Sequence, residues 1–539
     1  MNEPRLAPKS TNQHSSPRHP LRRGAAALSL VFLLAGCALD QGESRQSFEE
    51  SRASHFFSVG YQDVADIYID QIEVSDMAVA GLENLSIIDP KITIARDAGE
   101  LVLSFDAAQS VRLTTPGQED ARAWGEVTAA AIRASREHSK QLASVGSEDV
   151  YEAIFDGVTA RLDSFSRYAG RDEARENRAS RDGFGGIGVR ISLVDEGVKV
   201  LSVMENTPAE RAGIEDSDVV VLIDGETAAG LSQREVVSRL RGPLRSKVRL
   251  TIKREPELVP RLIEVTRAHI VPQTVNYRTD RGVGYFRVSG FNQSTARTLK
   301  KKIEMAEREL GDKALGYVLD LRGNPGGLLD QSVAVSDLFL PGGRIVSTHG
   351  RHPDSHQYFD ADTEDRAAGR RLVVLINANS ASASEIVAAA LQDSGRAVVV
   401  GSNSFGKGTV QTVLRLPNEG ELTLTWARFH APTGYSLNRR GVIPDICTSK
   451  DIKSAADALK RLREGRFPID LATRRTDLAP NDDSGLQNLK AHCPGTEEER
   501  DIDLEIAIDL LSDPSLYDLA LRGVPNTAKS KTEQASILQ

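Results

Sequence analysis

The run Gly401-Ser402-Asn403-Ser404-Phe405-Gly406-Lys407-Gly408 has the glycines and lysine of a phosphate-binding loop, but Gly408 stands where that loop needs a Ser or Thr for magnesium. Thr409 comes one residue late, on a segment that reads as a strand. Asp320, closing the apolar run Tyr317-Val318-Leu319, imitates a nucleotidase metal strand, yet the loop geometry fails and no nucleotide is expected. Lys407 therefore needs another task. Ser382 lies 25 residues upstream, where an apolar strand ends and a helix begins. Taken alone, Ser382-Ala383-Ser384-Glu385 reads as a capping box. The chemical reading is a nucleophile presented at a helix N-terminus, where amides and dipole favour an adjacent oxyanion. Serine needs a base, and the chain has no Gly-x-Ser-x-Gly elbow and no recognisable His and Asp partners. A lysine serves if it is neutral. At a reference pKa near 10.4 about one lysine in 2,500 is neutral at pH 7, so burial must depress Lys407 by roughly three units, about 4 kcal/mol. Phe405, Val410 and the run 412–416 are largely apolar, and Gly406 and Gly408 let backbone close around the lysine stem. Gln411 is placed to hold the amine in register, although at strand spacing a surface position is equally open.

These residues need a scaffold of alternating strands and helices. Apolar strand runs around 283–288, 315–321, 372–377 and 397–401 alternate with helical stretches 295–310, 328–338 and 383–392, which argues an α/β core over 265–450. Ahead of it, residues 51–180 carry helical patterning, with Tyr151, Ile154, Phe155, Val158 and Leu162 at amphipathic spacing. Between them lies a compact, mostly β unit of short Val/Ile-rich runs broken by Gly, Asn and Asp turns. Residues 451–523 are read as a helical extension and 524–539 as a disordered tail. The fold class expected is multidomain α+β: an N-terminal helical region, a β-barrel-like domain, an α/β core holding a Ser-Lys dyad, and a helical C-terminal extension.

With Ser382, Lys407 and Gln411 in view, the chain resembles the carboxyl-terminal processing peptidases, or tail-specific proteases, in their lipoprotein form. The resemblance covers about 151–444 through seven motifs in family order: "LDSFSRY", "TPAERAGI", "VGYFRVSGF", "LDLRGNPGGLL", "NSASASEIVAAALQD", "SFGKGTVQ" and "GVIPD". It implies Ser382 as nucleophile, Lys407 as general base, Gln411 as the residue orienting Lys407, and an oxyanion hole from the N–H groups of Ala383 and of a glycine in 324–327, Gly326 foremost. Residues 183–256 resemble a PDZ domain, with Gly185, Gly186, Ile187 and Gly188 in the loop that captures a terminal carboxylate while the peptide adds as a strand. "ENTPAERAGIEDSDVVVLIDG" supports that reading through Thr207 as cap, Pro208 at the first helical position and an Asp-Gly turn. Three departures stand out. Ser217 and Arg245 occupy positions where the family has glycine, which bears on peptide preference, and "TWARFHAPTGYSL" replaces a Thr-x-Ala-x-Tyr stretch near the substrate groove. The implied function is a serine endopeptidase acting through an acyl-enzyme on exported proteins with exposed C-termini. The alternative is an inactive lipid-anchored PDZ scaffold. A metallohydrolase built on His352 and His356 lacks a third ligand, and neither metal nor other cofactor is expected.

Composition sets the compartment and the partners. The 539 residues carry 67 basic and 76 acidic side chains, a net charge of -9 that offers nothing to a nucleic-acid backbone. Arg18, Arg22 and Arg23 precede the apolar run 25–33, too short to span a bilayer, and Leu34-Ala35-Gly36-Cys37 resembles a bacterial lipoprotein cleavage box. Residues 1–36 are therefore read as signal peptide, Cys37 as the lipidated first mature residue, and 37–50 as a linker. The expected location is the periplasmic side of the bacterial cell envelope, with the outer membrane favoured because Ala38, not Asp, follows Cys37. The two other cysteines, Cys447 and Cys493, are free to form a disulfide in an exported protein, but sequence leaves their pairing open. Self-association into a homo-oligomer through the N-terminal region is likewise left open.

Overall fold

The computed structural model describes residues 48–105, 109–257, 259–362, 365–449, 451–467, 478–479 and 482–522. The signal peptide, Cys37 and the tail 524–539 lie outside the described residues.

The centre is a six-stranded sheet in the order Val275–Asp280, Val283–Val288, Gly316–Asp320, Leu372–Ile376, Val398–Gly401, Ile446–Cys447. The first pair is antiparallel and all later neighbours are parallel. Leu372–Ile376 is buried at every residue because the sheet is covered on both faces. Leu372, Val374 and Ile376 join a cluster with helices Thr295–Leu310, Leu329–Asp337 and Ala383–Asp393. Val373 and Leu375 join a second cluster with Ala455–Arg463, Asp501–Ser512 and Pro514–Leu521. The C-terminal segment, read from sequence as an extension, is thus the second helical layer of the core.

A second sheet runs Gln357–Ala361, Gly343–His349, Glu421–His430, Thr409–Arg415, with Arg167–Ala169 paired to Glu421–His430. Through it the N-terminal region reaches the core: Leu416, Leu422 and Leu424 share one apolar cluster with Phe56, Phe57, Tyr61, Tyr151 and Phe155. That region is not purely helical. It also holds an antiparallel sheet of Thr93–Asp97, Glu100–Ser104 and Ser110–Thr114. Its first hairpin turns through Ala98 and Gly99 at φ 48° and 86°, a two-residue turn matched to strand twist.

The PDZ-like unit is a sheet in the order Arg261–Thr266, Lys247–Lys253, Val219–Ile223, Gly197–Val203, Val189–Val194. It packs against Gln233–Leu240, whose capping box pairs Ser232 with Glu235. The last strand carries the domain past Pro256, where sequence reading ends it. Ser217 and Arg245 hold φ 73° and 67°, so both departures from glycine sit at turns that favour glycine. Cys447 and Cys493 form a disulfide with Cα atoms 5.8 Å apart.

Candidate active site

Three turns leave the C-terminal ends of adjacent parallel strands: 321–327 after Gly316–Asp320, 377–382 after Leu372–Ile376, and 402–408 after Val398–Gly401. Strand ends of this kind are where open α/β sheets place their ligand crevices. Ser382 sits at the last residue before helix Ala383–Asp393 with φ 56° and ψ -114°, a conformation costly for a residue with a Cβ. Its Oγ does not cap the helix. Half of the capping box remains, because Ser382 N–H donates to Glu385 Oε2 at 2.8 Å.

Glu385 does more than cap. It is fully buried, and the same Oε2 accepts from Lys407 N–H at 3.0 Å, while Oε1 accepts from Gly406 N–H and Ser404 Oγ, both at 2.6 Å. One carboxylate oxygen therefore joins the backbones of Ser382 and Lys407, and their nitrogens lie no further apart than the sum of those two contacts. Burial pushes the Glu385 carboxyl up, and its hydrogen bonds from Ser404, Gly406, Ser382 and Lys407 pull it back. The sequence pattern shows Glu385 as a helix cap; only the fold brings the 402–408 turn onto it.

Burial lowers the Lys407 amine below its ordinary value, and the positive Arg167 lowers it further, against opposing pulls from Glu385 and Asp163. The Lys407 Nζ lies 5.2 Å from the Phe165 ring centroid, and Phe165 meets Phe405 edge-on at 6.4 Å. Asp163, Phe165 and Arg167 all come from "LDSFSRY", the loop after helix Ser147–Thr159, so the N-terminal region supplies the environment of this lysine. Asp163 Oδ1 fixes that loop by accepting from Phe165 N–H at 2.7 Å and Ser166 N–H at 2.9 Å. Among the described residues, no hydrogen bond joins Ser382 Oγ to Lys407 Nζ in this arrangement. The glycines around Lys407 serve a different neighbour from the one sequence suggests. Gly408, at φ 55°, lies so close to the backbone of Asn438 that no Cβ fits.

Gln411 is not found orienting Lys407. Its Nε2 donates to Thr409 Oγ1 at 2.8 Å and Thr425 Oγ1 at 3.2 Å, within its own hairpin. Gly326 is beside Ser382 as expected: a Cβ there would lie 2.9 Å from Ser382 Cβ and 3.0 Å from Ala383 N. Its N–H, however, donates to Asn324 Oδ1 at 2.8 Å. Ala383 N–H belongs to the first helical turn, whose amides lack intrahelical acceptors. Asn324 and Asn377, to which sequence reading gave no role, tie the turns together. Asn324 O accepts from Ala381 N–H at 3.0 Å and Ser384 Oγ at 2.9 Å. Asn377 Oδ1 accepts from Gly323 N–H at 2.9 Å.

In the PDZ-like unit, Gly185 and Gly186 are already strand-paired, with His269 and Ala268, and Gly185 O accepts from Gly242 N–H at 3.0 Å. Ile187 is buried, its O accepting from Ala209 N–H at 2.8 Å, and Gly188 O accepts from Met204 N–H at 3.0 Å. The strand that follows, Val189–Val194, ends the sheet order and so has its outer edge unpaired within that sheet. A cavity of about 370 Å³ at the start of this loop is lined by Arg175, Arg178 and Arg241 together with Phe184 and Gly185. His352 and His356 do not converge: His352 Nδ1 accepts from Asp354 N–H, and His356 Nδ1 lies 3.4 Å from His349 Nδ1. Among the described residues, no group of three or more His, Cys, Asp or Glu side chains is placed to hold a metal ion.

Residues 282–448 match peptidase family S41, and residues 185–265 match the PDZ domain. The carboxy-terminal-processing protease of Bartonella bacilliformis is 40% identical over 307 residues, covering 57% of this chain and 71% of that protein. The carboxyl-terminal-processing protease of a Synechocystis species is 32% identical over 361 residues, covering 64% and 82% respectively. A solved structure of a photosystem II D1 C-terminal processing protease is 23% identical, with TM-score 0.37, covering 73% of this chain and 92% of its own.

Proposed function

The chain belongs to peptidase family S41, among the carboxyl-terminal-processing proteases, and from that membership we propose that it is a serine endopeptidase whose PDZ domain captures the C-terminal tails of exported proteins and whose Ser382 and Lys407 cleave them. The observation that carries the dyad is the single Glu385 oxygen shared by the Ser382 and Lys407 backbones. A tail lies along the edge Val189–Val194 as an added strand, its carboxylate drawn to Arg175, Arg178 and Arg241. In the reaction, neutral Lys407 Nζ takes the Ser382 Oγ proton as Oγ attacks the scissile carbonyl carbon. The resulting oxyanion is held by Ala383 N–H and a glycine amide of 324–327. Lys407 returns the proton to the departing amine, leaving an acyl group on Ser382. Water, deprotonated by Lys407, then releases the acid and restores the serine. To reach this arrangement the Lys407 amine leaves the Phe165 face for Ser382 Oγ, and the Gly326 peptide gives up Asn324. Such tightening on substrate binding is ordinary for catalytic hydrogen bonds that are long without substrate.

The test is cleavage of a loosely folded protein with an apolar C-terminal tail, read by mass spectrometry, using the parent, Ser382→Ala and Lys407→Ala. Both variants should lose at least about a thousandfold in turnover. Parent-like cutting by either variant overturns the dyad, and tail binding without cutting by the parent supports the inactive scaffold instead. The box at 34–37 supports export with a lipid on Cys37, and Cys37→Ser should then move the protein from the membrane pellet to the soluble fraction.

A further inference from the structure

Residues 493–500 cross the strand ends that carry the three site turns, and their backbone bonds to all of them. Ala378 N–H and Ser402 Oγ donate to Thr496 O at 2.9 Å and 3.1 Å, and Thr496 N–H returns a bond to Ser402 Oγ at 3.1 Å. Asn377 Nδ2 donates to Glu497 O at 2.9 Å. Arg287 grips Glu499 with both Nη atoms, at 2.6 Å and 2.5 Å, while its Nη2 also donates to Arg322 O at 3.0 Å. Ser402 opens the turn to Lys407, Ala378 lies in the turn to Ser382, and Arg322 lies in the turn to Gly326.

Both ends of this segment are anchored. At one end the Cys447–Cys493 disulfide fixes it to Ile446–Cys447, the strand that pairs with Val398–Gly401. At the other, Arg500 O accepts from Arg322 Nη1 at 2.8 Å, and Arg322 also binds Asp320 and Asp503 inside the core. The span between is solvent-exposed along most of its length, so its contribution to burial is small and its bonds to the turns are its main contacts. Asn377 is where these bonds converge. It is buried, and its Oδ1 receives Gly323 N–H at 2.9 Å and Asn379 N–H at 3.2 Å while its Nδ2 reaches residue 497. One carboxamide thus joins the oxyanion turn, the nucleophile turn and the exposed segment.

We propose that residues 493–500, pinned by the Cys447–Cys493 disulfide, form a positioning strap for the reaction, acting through Asn377 to hold the turns of Gly326, Ser382 and Lys407 in mutual register. The inference rests on the Ser382 and Lys407 reading above. It assigns a catalytic consequence to a disulfide and a C-terminal segment whose strap residues lie beyond the matched family region. Without the disulfide the strap is fixed covalently at neither end and relies on Arg500, the Arg287–Glu499 pair and its bonds to the turns, so the turns lose a rigid common support without losing their side chains.

The experiment compares the full chain with Cys447→Ser/Cys493→Ser and with Asn377→Asp, which keeps the Oδ1 acceptor and loses the donor to residue 497. Folding is checked by circular dichroism at the assay temperature. For both variants kcat should fall at least tenfold while KM and the affinity of the PDZ domain for a tail peptide stay within twofold. Hydrogen exchange of 321–327 and 378–385 should quicken in both, with 189–253 unchanged. A folded cysteine variant with kcat within twofold of the parent and unchanged exchange in those turns overturns the strap. If the cysteine variant does not fold, Asn377→Asp decides alone on the same two readouts. Exchange does not depend on which residues react, so a parent that cuts equally well as Ser382→Ala would sink the dyad and leave the strap to be judged by exchange.

Discussion

The proposed mechanism needs Lys407 neutral, and its surroundings lower the proton affinity through burial first and Arg167 second. Activity should therefore rise with pH and level off at a midpoint below the ordinary lysine value of 10.5. The sign of each neighbour follows. Arg167→Gln removes a cation, so the lysine holds its proton more tightly and the limb moves to higher pH. Asp163→Asn removes an anion while keeping the oxygen that fixes the loop, so the limb moves to lower pH. Each shift should be a few tenths of a pH unit, since Arg167 is exposed and screened. The kcat/KM profile of the two variants checks this, and shifts in the same direction would remove both residues from the account. Stability follows the same linkage. Because the folded chain binds the Lys407 proton less tightly than the unfolded chain, the fold is disfavoured below the folded value, and this penalty fades as pH rises from there toward 10.5. Glu385→Gln should cost about 1–3 kcal/mol and most activity, because its amide nitrogen must face donors where the carboxylate now accepts. Thermal melting and turnover of that variant provide the check.

At the scale of elements, the PDZ turns at Ser217 and Arg245 hold a backbone conformation that costs a non-glycine residue about 1 kcal/mol. Ser217→Gly and Arg245→Gly should each stabilise the chain, by somewhat less than that because glycine also loosens the unfolded state. Denaturant midpoints measure it, and a loss of stability in either would show that its side chain contributes more than the turn costs. These two positions also show what could be read from the sequence. Motif order and spacing were enough for the PDZ domain, the processing-protease family and the α/β alternation of the core, because those features are local or repeat in fixed order. Hydrogen-bond partners were not legible. Glu385 looks like a cap until the 402–408 turn arrives from the next strand, and the spacing of Gln411 from Lys407 does not show that its amide bonds to Thr409 and Thr425 within its own hairpin. The hairpin at Ala98 and Gly99 had a readable signal, alternation around a short turn, that helical patterning on either side obscured.

For the whole molecule, the decisive feature is that one sheet serves two helical layers made from distant parts of the chain. Val318, Val373, Leu375, Val398 and Val400 are buried from the side formed by Ala455–Arg463, Asp501–Ser512 and Pro514–Leu521. A chain ending at residue 450 keeps every residue proposed for catalysis and all of the matched motifs, so sequence alone would commend it as a minimal protease. The packing argues otherwise. Returning those five side chains to water costs about 1.5–3 kcal/mol each, on the order of 10 kcal/mol together. That is comparable to the whole stability of a typical domain. The exposed surface would also be a flat, apolar sheet face of the kind that associates. Truncation after residue 450 should thus give an aggregated or unfolded product, and restoring residues 451–522 as a separate polypeptide should recover solubility before it recovers activity. Size-exclusion chromatography and circular dichroism of the truncated chain decide the matter. A soluble, cooperatively melting, active truncation would mean that the second layer is an accessory, and would remove with it the ground on which the strap depends.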